Sequence, residues 1–204
     1  MKFKKAIIIS FILIFCVTSF IAFNAGMKYS SNQKLNEDRK HYVNLFYFQL
    51  DNTIRLLSSV DDWEGNIHST DVTVNPYRQL LTNLNSMKAL NEQGAWHMSN
   101  DRDSYFLKSL SESFRLIGDS IGGGVSLNNQ LLCVDFLKDD ILSKNEVSFL
   151  VSLKQDLESM KDNLYSEETK QENPNLTMKE LSKAVKTFTD KYSISNLHSI
   201  GFRN

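Results

Sequence analysis

The chain has 204 residues, of which 41% are hydrophobic and 23% are charged, and its net charge is −1. This balance is typical of a folded domain and excludes both a disordered chain and a membrane protein with many spans. Without a basic surface, the sequence also predicts no binding to nucleic acid.

An apolar segment begins directly after a basic start that contains Lys2, Lys4 and Lys5. Residues 6–23 read AIIISFILIFCVTSFIAF and contain no charge, proline or glycine. As a helix they rise about 27 Å, which is close to the hydrocarbon thickness of a bilayer. The sequence therefore predicts a single transmembrane signal-anchor helix over residues 6–27, which contacts the lipid bilayer.

The three lysines also predict the orientation of this helix, because positive charge favours the cytoplasmic side of a membrane. Residues 1–5 are then cytoplasmic and the remainder of the chain is extracytoplasmic, which gives a single-pass protein of the cell membrane.

A composition rich in Lys, Asn, Ser and Ile suggests a bacterial protein. Beyond the anchor Cys133 is the lone cysteine, so no internal disulfide is expected and a buried thiol is favoured over an intermolecular bridge.

Three other interpretations of the apolar segment stay open. A cleaved secretory signal has a shorter apolar run and small residues at its cleavage site, whereas a cut after Ala25 would put Phe23 in one of those positions. Lipid attachment at Cys16 is disfavoured because the bulky Phe15 precedes it. A buried core helix does not need basic residues on one side only, so the sequence favours an uncleaved anchor.

Beyond the anchor, residues 28–60 contain no proline or glycine and read as helix. We predict a stalk over residues 28–41 that continues the first helix of a bundle, the bundle over residues 42–192 and a C-terminal tail over residues 193–204. Residues 42–50, YVNLFYFQL, are apolar on most helix faces, which favours a central position in the bundle. The alternative is that one of these faces binds a partner chain.

The next elements are predicted from turn residues and apolar spacing. Residues 61–76 read as a loop, and Pro76 suits the first turn of a second helix that ends near Gly94. A third helix carries apolar residues at helical spacing and stops at the glycines 122–124. A short helix is predicted over residues 127–138.

Two capping boxes mark the last helices. Ser143 and Glu146 open a helix with an apolar seam of heptad spacing from Leu150 to Leu164. Residues 166–175 read as a polar loop, and Thr177 with Glu180 opens a final helix that ends near Tyr192. The predicted fold is therefore all-α: a single N-terminal transmembrane helix followed by an extracytoplasmic bundle of about five to six helices.

The sequence predicts no catalytic residue, no metal site and no cofactor, and hence no enzyme. The four histidines have no ligand partner at a suitable spacing. His68 lies among acidic residues in the loop 61–76, where turn formation is favoured over divalent-cation binding. The glycines 122–124 lack the lysine of a phosphate-binding loop. An envelope hydrolase is the least favoured of the functions considered.

A helical bundle behind one membrane anchor resembles, in outline, the ligand-sensing bundles of bacterial receptors. Those receptors have a second membrane helix that leads to a cytoplasmic output domain, and this sequence shows none. The resemblance therefore implies action through a membrane partner and assigns no site residue.

The favoured hypothesis is that the extracytoplasmic domain binds another protein as an accessory, scaffold or inhibitor at the outer face of the membrane. The alternative is a small-molecule or cation-sensing bundle that acts through a membrane partner. The oligomeric state stays open. Aromatic residues in the first helix and beside loops are the candidate partner-binding residues, with core packing as their alternative role. They are Tyr42, Phe46, Tyr47, Trp63 and Trp96.

Overall fold

The computed structural model describes residues 2–63, 75–98, 102–122, 126–127, 130–131 and 142–197. Side chains are described for these residues except 2–17, 21, 61, 102–103, 126–127, 130–131 and 197. The chain divides into two compact units, Met1–Asp38 and Arg39–Asn204.

Helices make up most of the described residues, which confirms the all-α class. The helices are α1 (Lys2–Leu57), α2 (Pro76–His97), α3 (Phe106–Gly122), α4 (Lys144–Leu164), α5 (Met178–Lys191) and α6 (Ile194–Leu197). Two 3-10 helices, Val60–Asp62 and Arg102–Tyr105, and four two-residue strands complete the described elements. The strands are β1 (Ser126–Leu127), β2 (Gln130–Leu131), β3 (Tyr165–Ser166) and β4 (Gln171–Glu172).

The first unit is the N-terminal part of α1. Several of its large apolar side chains, such as those of Phe20 and Tyr29, are exposed. Within the described part of the chain, no helix combines the length and the apolar character that a membrane crossing needs. The side chains of residues 6–17 and of Ile21 in the predicted anchor lie outside the described residues. The structure thus gives the transmembrane helix over residues 6–27 no support, and that helix stays a prediction.

The core of the second unit contains a chain of aromatic rings that joins α1, α3 and α5. The ring centroids of Tyr42 and Phe46 are 5.8 Å apart, and those of Phe46 and Phe114 are 6.2 Å apart. Phe114 then lies 5.2 Å from Phe188, which lies 4.7 Å from Tyr192. These rings are buried, so the core interpretation of residues 42–50 is confirmed at Tyr42 and Phe46.

Hydrogen bonds at the helix ends fix where several helices begin. Ser143 and Thr177 both form the predicted capping boxes, with Glu146 and Glu180 respectively. Asn75 directly precedes Pro76, the first residue of α2. The side chain of Asn75 accepts a hydrogen bond from the backbone N–H of Arg78. The three starts follow from local sequence because each cap satisfies backbone donors that the helix leaves unpaired.

The polar cluster around Asp156 ties α5 to α4. The carboxylate of Asp156 accepts hydrogen bonds from the Tyr192 hydroxyl at 2.6 Å and from the Lys191 ammonium at 2.5 Å. Burial, together with this carboxylate, raises the pKa of Tyr192 well above its ordinary value. Tyr192 therefore stays protonated and remains a hydrogen-bond donor at the end of α5.

Two predicted segments differ from the structure because they contain short hairpins. The helix predicted over 127–138 is wrong at its start, where Leu127 pairs with Gln130 in an antiparallel ladder; residues 132–138 lie outside the described residues. The predicted loop 166–175 contains most of a second hairpin, in which Ser166 pairs with Gln171. Ladders of two residue pairs are too short to produce the alternating pattern that identifies strands.

Two predicted helix ends are also corrected. Helix α1 ends at Leu57, and the side chains of Ser58 and Ser59 donate hydrogen bonds to the carbonyls of Ile54 and Leu56 in its last turn. Helix α2 continues past Gly94 to His97. Gly94 is buried inside the helix against a side chain of α1, so it serves packing and not helix termination.

Candidate binding groove between α2 and α3

The five candidate partner-binding residues lie in different environments. Tyr42, Phe46 and Trp63 are buried, with Trp63 only 2% exposed. The hydroxyl of Tyr42 donates a 2.7 Å hydrogen bond to the side chain of buried Asn91, which ties α1 to α2. A partner cannot reach these three rings while the domain stays folded, which leaves two of the five for a binding surface.

Tyr47 is half-buried at the contact of α1 with α4. The ammonium of Lys161 lies 5.2 Å from the centroid of its ring and 2.6 Å from the carboxylate of Asp51. Burial raises the pKa of Tyr47 above its ordinary value. The ring thus has a defined role in joining two helices, and the structure does not bring it together with Trp96 in one groove.

Trp96 is 77% exposed, the highest exposed fraction among the large hydrophobic side chains that the structure describes. It lies at the edge of a groove of about 560 Å³ between α2 and α3. The groove is lined by Glu92, Ala95, Trp96, Lys108, Ser111 and Glu112. The groove is open to solvent, and four of its six lining residues are polar or charged.

The antiparallel packing of α2 on α3 forms the groove. Near the far end of the pair, Gly118 lies against Leu84. Towards the groove, the Ser111 hydroxyl lies 3.3 Å from the carbonyl oxygen of Lys88 and 3.4 Å from the Glu92 carboxylate. The small side chains of Ala95 and Ser111 leave space between the helices, and longer polar side chains surround it.

Both carboxylates of the groove are already paired. Arg115 donates two hydrogen bonds to Glu112, of 2.8 Å and 2.6 Å, and also pairs with Asp119. The hydrogen bond from Arg115 lowers the pKa of Glu112 below its ordinary value. Glu92 pairs more loosely with Lys88, at 3.6 Å. Glu92 and Glu112 each have a cationic partner, and Glu112 shares its partner Arg115 with Asp119.

Lys108 differs from the other charged residues of the groove. Among the described residues, no carboxylate lies within 4.0 Å of its ammonium. Its side chain is exposed, so the charge is hydrated in the free protein. Lys108 is hence the charge in the groove that can pair with an incoming group without breaking an ion pair with a described residue.

Among the described residues, the histidines do not form a metal site. His41 and His97 are exposed, and His68 and His198 lie outside the described residues, as does Cys133. No three metal-ligating side chains among the described residues come together.

Sequence reasoning identified Trp96 but missed Lys108, Glu92 and Glu112. Lys108 and Glu112 lie four residues apart on one helix. Charges at this spacing are typical of a solvent-exposed helix face. Only the pairing of α2 with α3 brings the two faces together.

No family model matches the chain, and neither a curated protein nor a solved structure matches it.

Proposed function

We propose that this chain is a single-pass membrane protein whose extracytoplasmic helical domain binds another protein, with Trp96 and its groove as the contact surface. The observation that carries the proposal is the exposure of Trp96 beside a groove of about 560 Å³. Tryptophan is enriched among the residues that dominate binding energy at protein interfaces. The role would be that of an accessory, scaffold or inhibitor at the outer face of the membrane.

Support for the membrane anchor comes from the sequence alone. Residues 6–27 provide a long uncharged apolar segment, and Lys2, Lys4 and Lys5 precede it. Such a segment anchors a chain with its basic end in the cytoplasm. The helical domain would then face partners at the outer surface.

The anchor predicts that alkaline carbonate washing leaves the full chain in the membrane pellet. Arginine substitutions at both Leu13 and Val17 should move a large fraction of the chain out of the pellet, because each charge at the centre of a span costs about 2.5–3.5 kcal/mol. Arginine at Lys34 and Lys40 is the matched control and should leave the chain in the pellet. Release of the unmodified chain by carbonate would contradict the anchor.

The partner-binding proposal predicts that Trp96→Ala abolishes a specific crosslink between the chain and its partner in intact cells. Alanine scanning gives a loss of at least 2 kcal/mol at such anchor residues, or about thirtyfold in affinity. Because Trp96 is exposed, the melting temperature of the domain should hardly change. The measurement is crosslinking of the full chain followed by mass spectrometry of the adduct.

Phe48→Ala is the matched control for this experiment. Phe48 is 57% exposed on α1 and does not line the groove. Its replacement should leave the crosslink intact. The opposite result, with the adduct lost in Phe48→Ala and kept in Trp96→Ala, would place the interface on α1 and refute the groove.

A second candidate function is the binding of a small molecule in this groove, which the domain would report through a partner. A ligand at about 100 times its dissociation constant would add about 2.7 kcal/mol to the free energy of unfolding. Thermal shift of the full chain against a panel of small molecules distinguishes the two functions. A shift that disappears in Trp96→Ala would favour this candidate.

A further inference from the structure

The charges of the groove favour one kind of partner over others. Glu112 is held by Arg115, and Glu92 is paired with Lys88 and lies near Ser111. A cationic partner group would have to compete with these intramolecular pairs. Lys108 has no such pair among the described residues, so an anionic group gains an ion pair there without displacing another.

The apolar part of the groove adds a second requirement. Trp96 presents most of its ring to solvent, and Ala95 lies beside it in the lining. A large apolar side chain that covers the indole removes water from both surfaces, whereas a purely polar segment gains nothing from this contact. The two requirements together describe a segment with an acidic residue close to an aromatic or large aliphatic one.

We propose that the groove binds a protein segment that presents an Asp or Glu carboxylate to Lys108 and a large apolar side chain to Trp96. This proposal rests on the proposed function, because it specifies the chemistry of the partner at the same surface. Lys108 gives the segment its orientation, and Trp96 contributes most of the buried apolar area. The exposed ion pair adds modest affinity and makes association dependent on ionic strength.

The test begins with the full chain in the cells that produce it. The photoreactive residue p-benzoyl-phenylalanine replaces Gln93, an exposed residue of α2 one turn before Trp96, so that Trp96 and Lys108 stay in place. Mass spectrometry then identifies the crosslinked segment. The segment is then made as a synthetic peptide, and its affinity for the full chain is measured by fluorescence anisotropy. We expect it to contain an Asp or Glu within a few residues of an aromatic or large aliphatic residue.

Charge reversal then tests the role of Lys108. Lys108→Glu should weaken peptide binding about tenfold or more, because like charges face each other. Lys108→Gln should weaken it up to about fivefold and reduce its salt dependence. Lys179→Glu, an exposed position in the first turn of α5, is the matched control and should stay within about twofold of the unmodified chain. A peptide whose acidic residue is changed to Lys should bind Lys108→Glu better than it binds the unmodified chain.

The outcomes separate the two proposals. Absence of a specific crosslink at position 93 refutes the groove as a protein-binding surface, and with it both proposals. A specific crosslink to a segment without an acidic residue, or equal affinities for the unmodified chain and Lys108→Glu, overturns the acidic-segment inference and leaves the proposed function standing.

Discussion

Replacing Phe114 with Ala is expected to lower the free energy of unfolding of the helical domain by about 3–5 kcal/mol. Phe114 is a fully buried residue of α3 whose ring lies against Phe46 of α1 and Phe188 of α5. The truncation deletes the buried ring and leaves a cavity where three helices meet. The neighbouring side chains are themselves large rigid rings, so they relax only partly into the space.

The measurement is urea denaturation of the full chain in detergent, followed by circular dichroism. Phe48→Ala provides the matched control, since it removes the same ring from an exposed position of α1 and should change the free energy of unfolding by less than about 0.5 kcal/mol. Similar losses for the two variants would mean that the aromatic chain through Phe114 does not form the core.

The parts of the fold that depend on local sequence could be predicted. The apolar seam of α4, from Leu150 to Leu164, is buried as its heptad spacing indicates. The capping boxes at Ser143 and Thr177 open α4 and α5 as predicted. Both signals act over one or two helical turns, so neither depends on how the helices pack.

The parts that depend on tertiary contacts could not be predicted. Trp63 and Trp96 show the same local pattern, a large aromatic residue among polar neighbours beside a loop, yet one is buried and the other is exposed. Lys108 and Glu92 come together only because α2 packs on α3. The same limit applies to Gly94, which packs against Tyr42, a residue more than fifty positions earlier in the chain.

Gly94→Ala is expected to lower the free energy of unfolding by about 1–3 kcal/mol, although alanine is the better helix former. A Cβ atom at this position would lie 2.9 Å from two ring carbons of Tyr42. The ring cannot easily move away, because it is buried and its hydroxyl is hydrogen-bonded to Asn91. The overpacking therefore outweighs the gain in helix propensity, which is about 1 kcal/mol.

The sign of this effect separates overpacking from a general intolerance of change in the helix interiors. Gly118→Ala in α3 is the matched control: its Cβ would lie 3.9 Å from Leu84, an ordinary contact, so this variant should gain up to about 1 kcal/mol. In a chain that also carries Tyr42→Ala the obstructing ring is gone. Adding Gly94→Ala should then leave the free energy of unfolding unchanged or raise it. Equal costs for Gly94→Ala in both backgrounds would show that Tyr42 is not the cause. A double-mutant cycle measured by urea denaturation gives the coupling energy directly, and we expect it to exceed about 1 kcal/mol because the two residues are in contact.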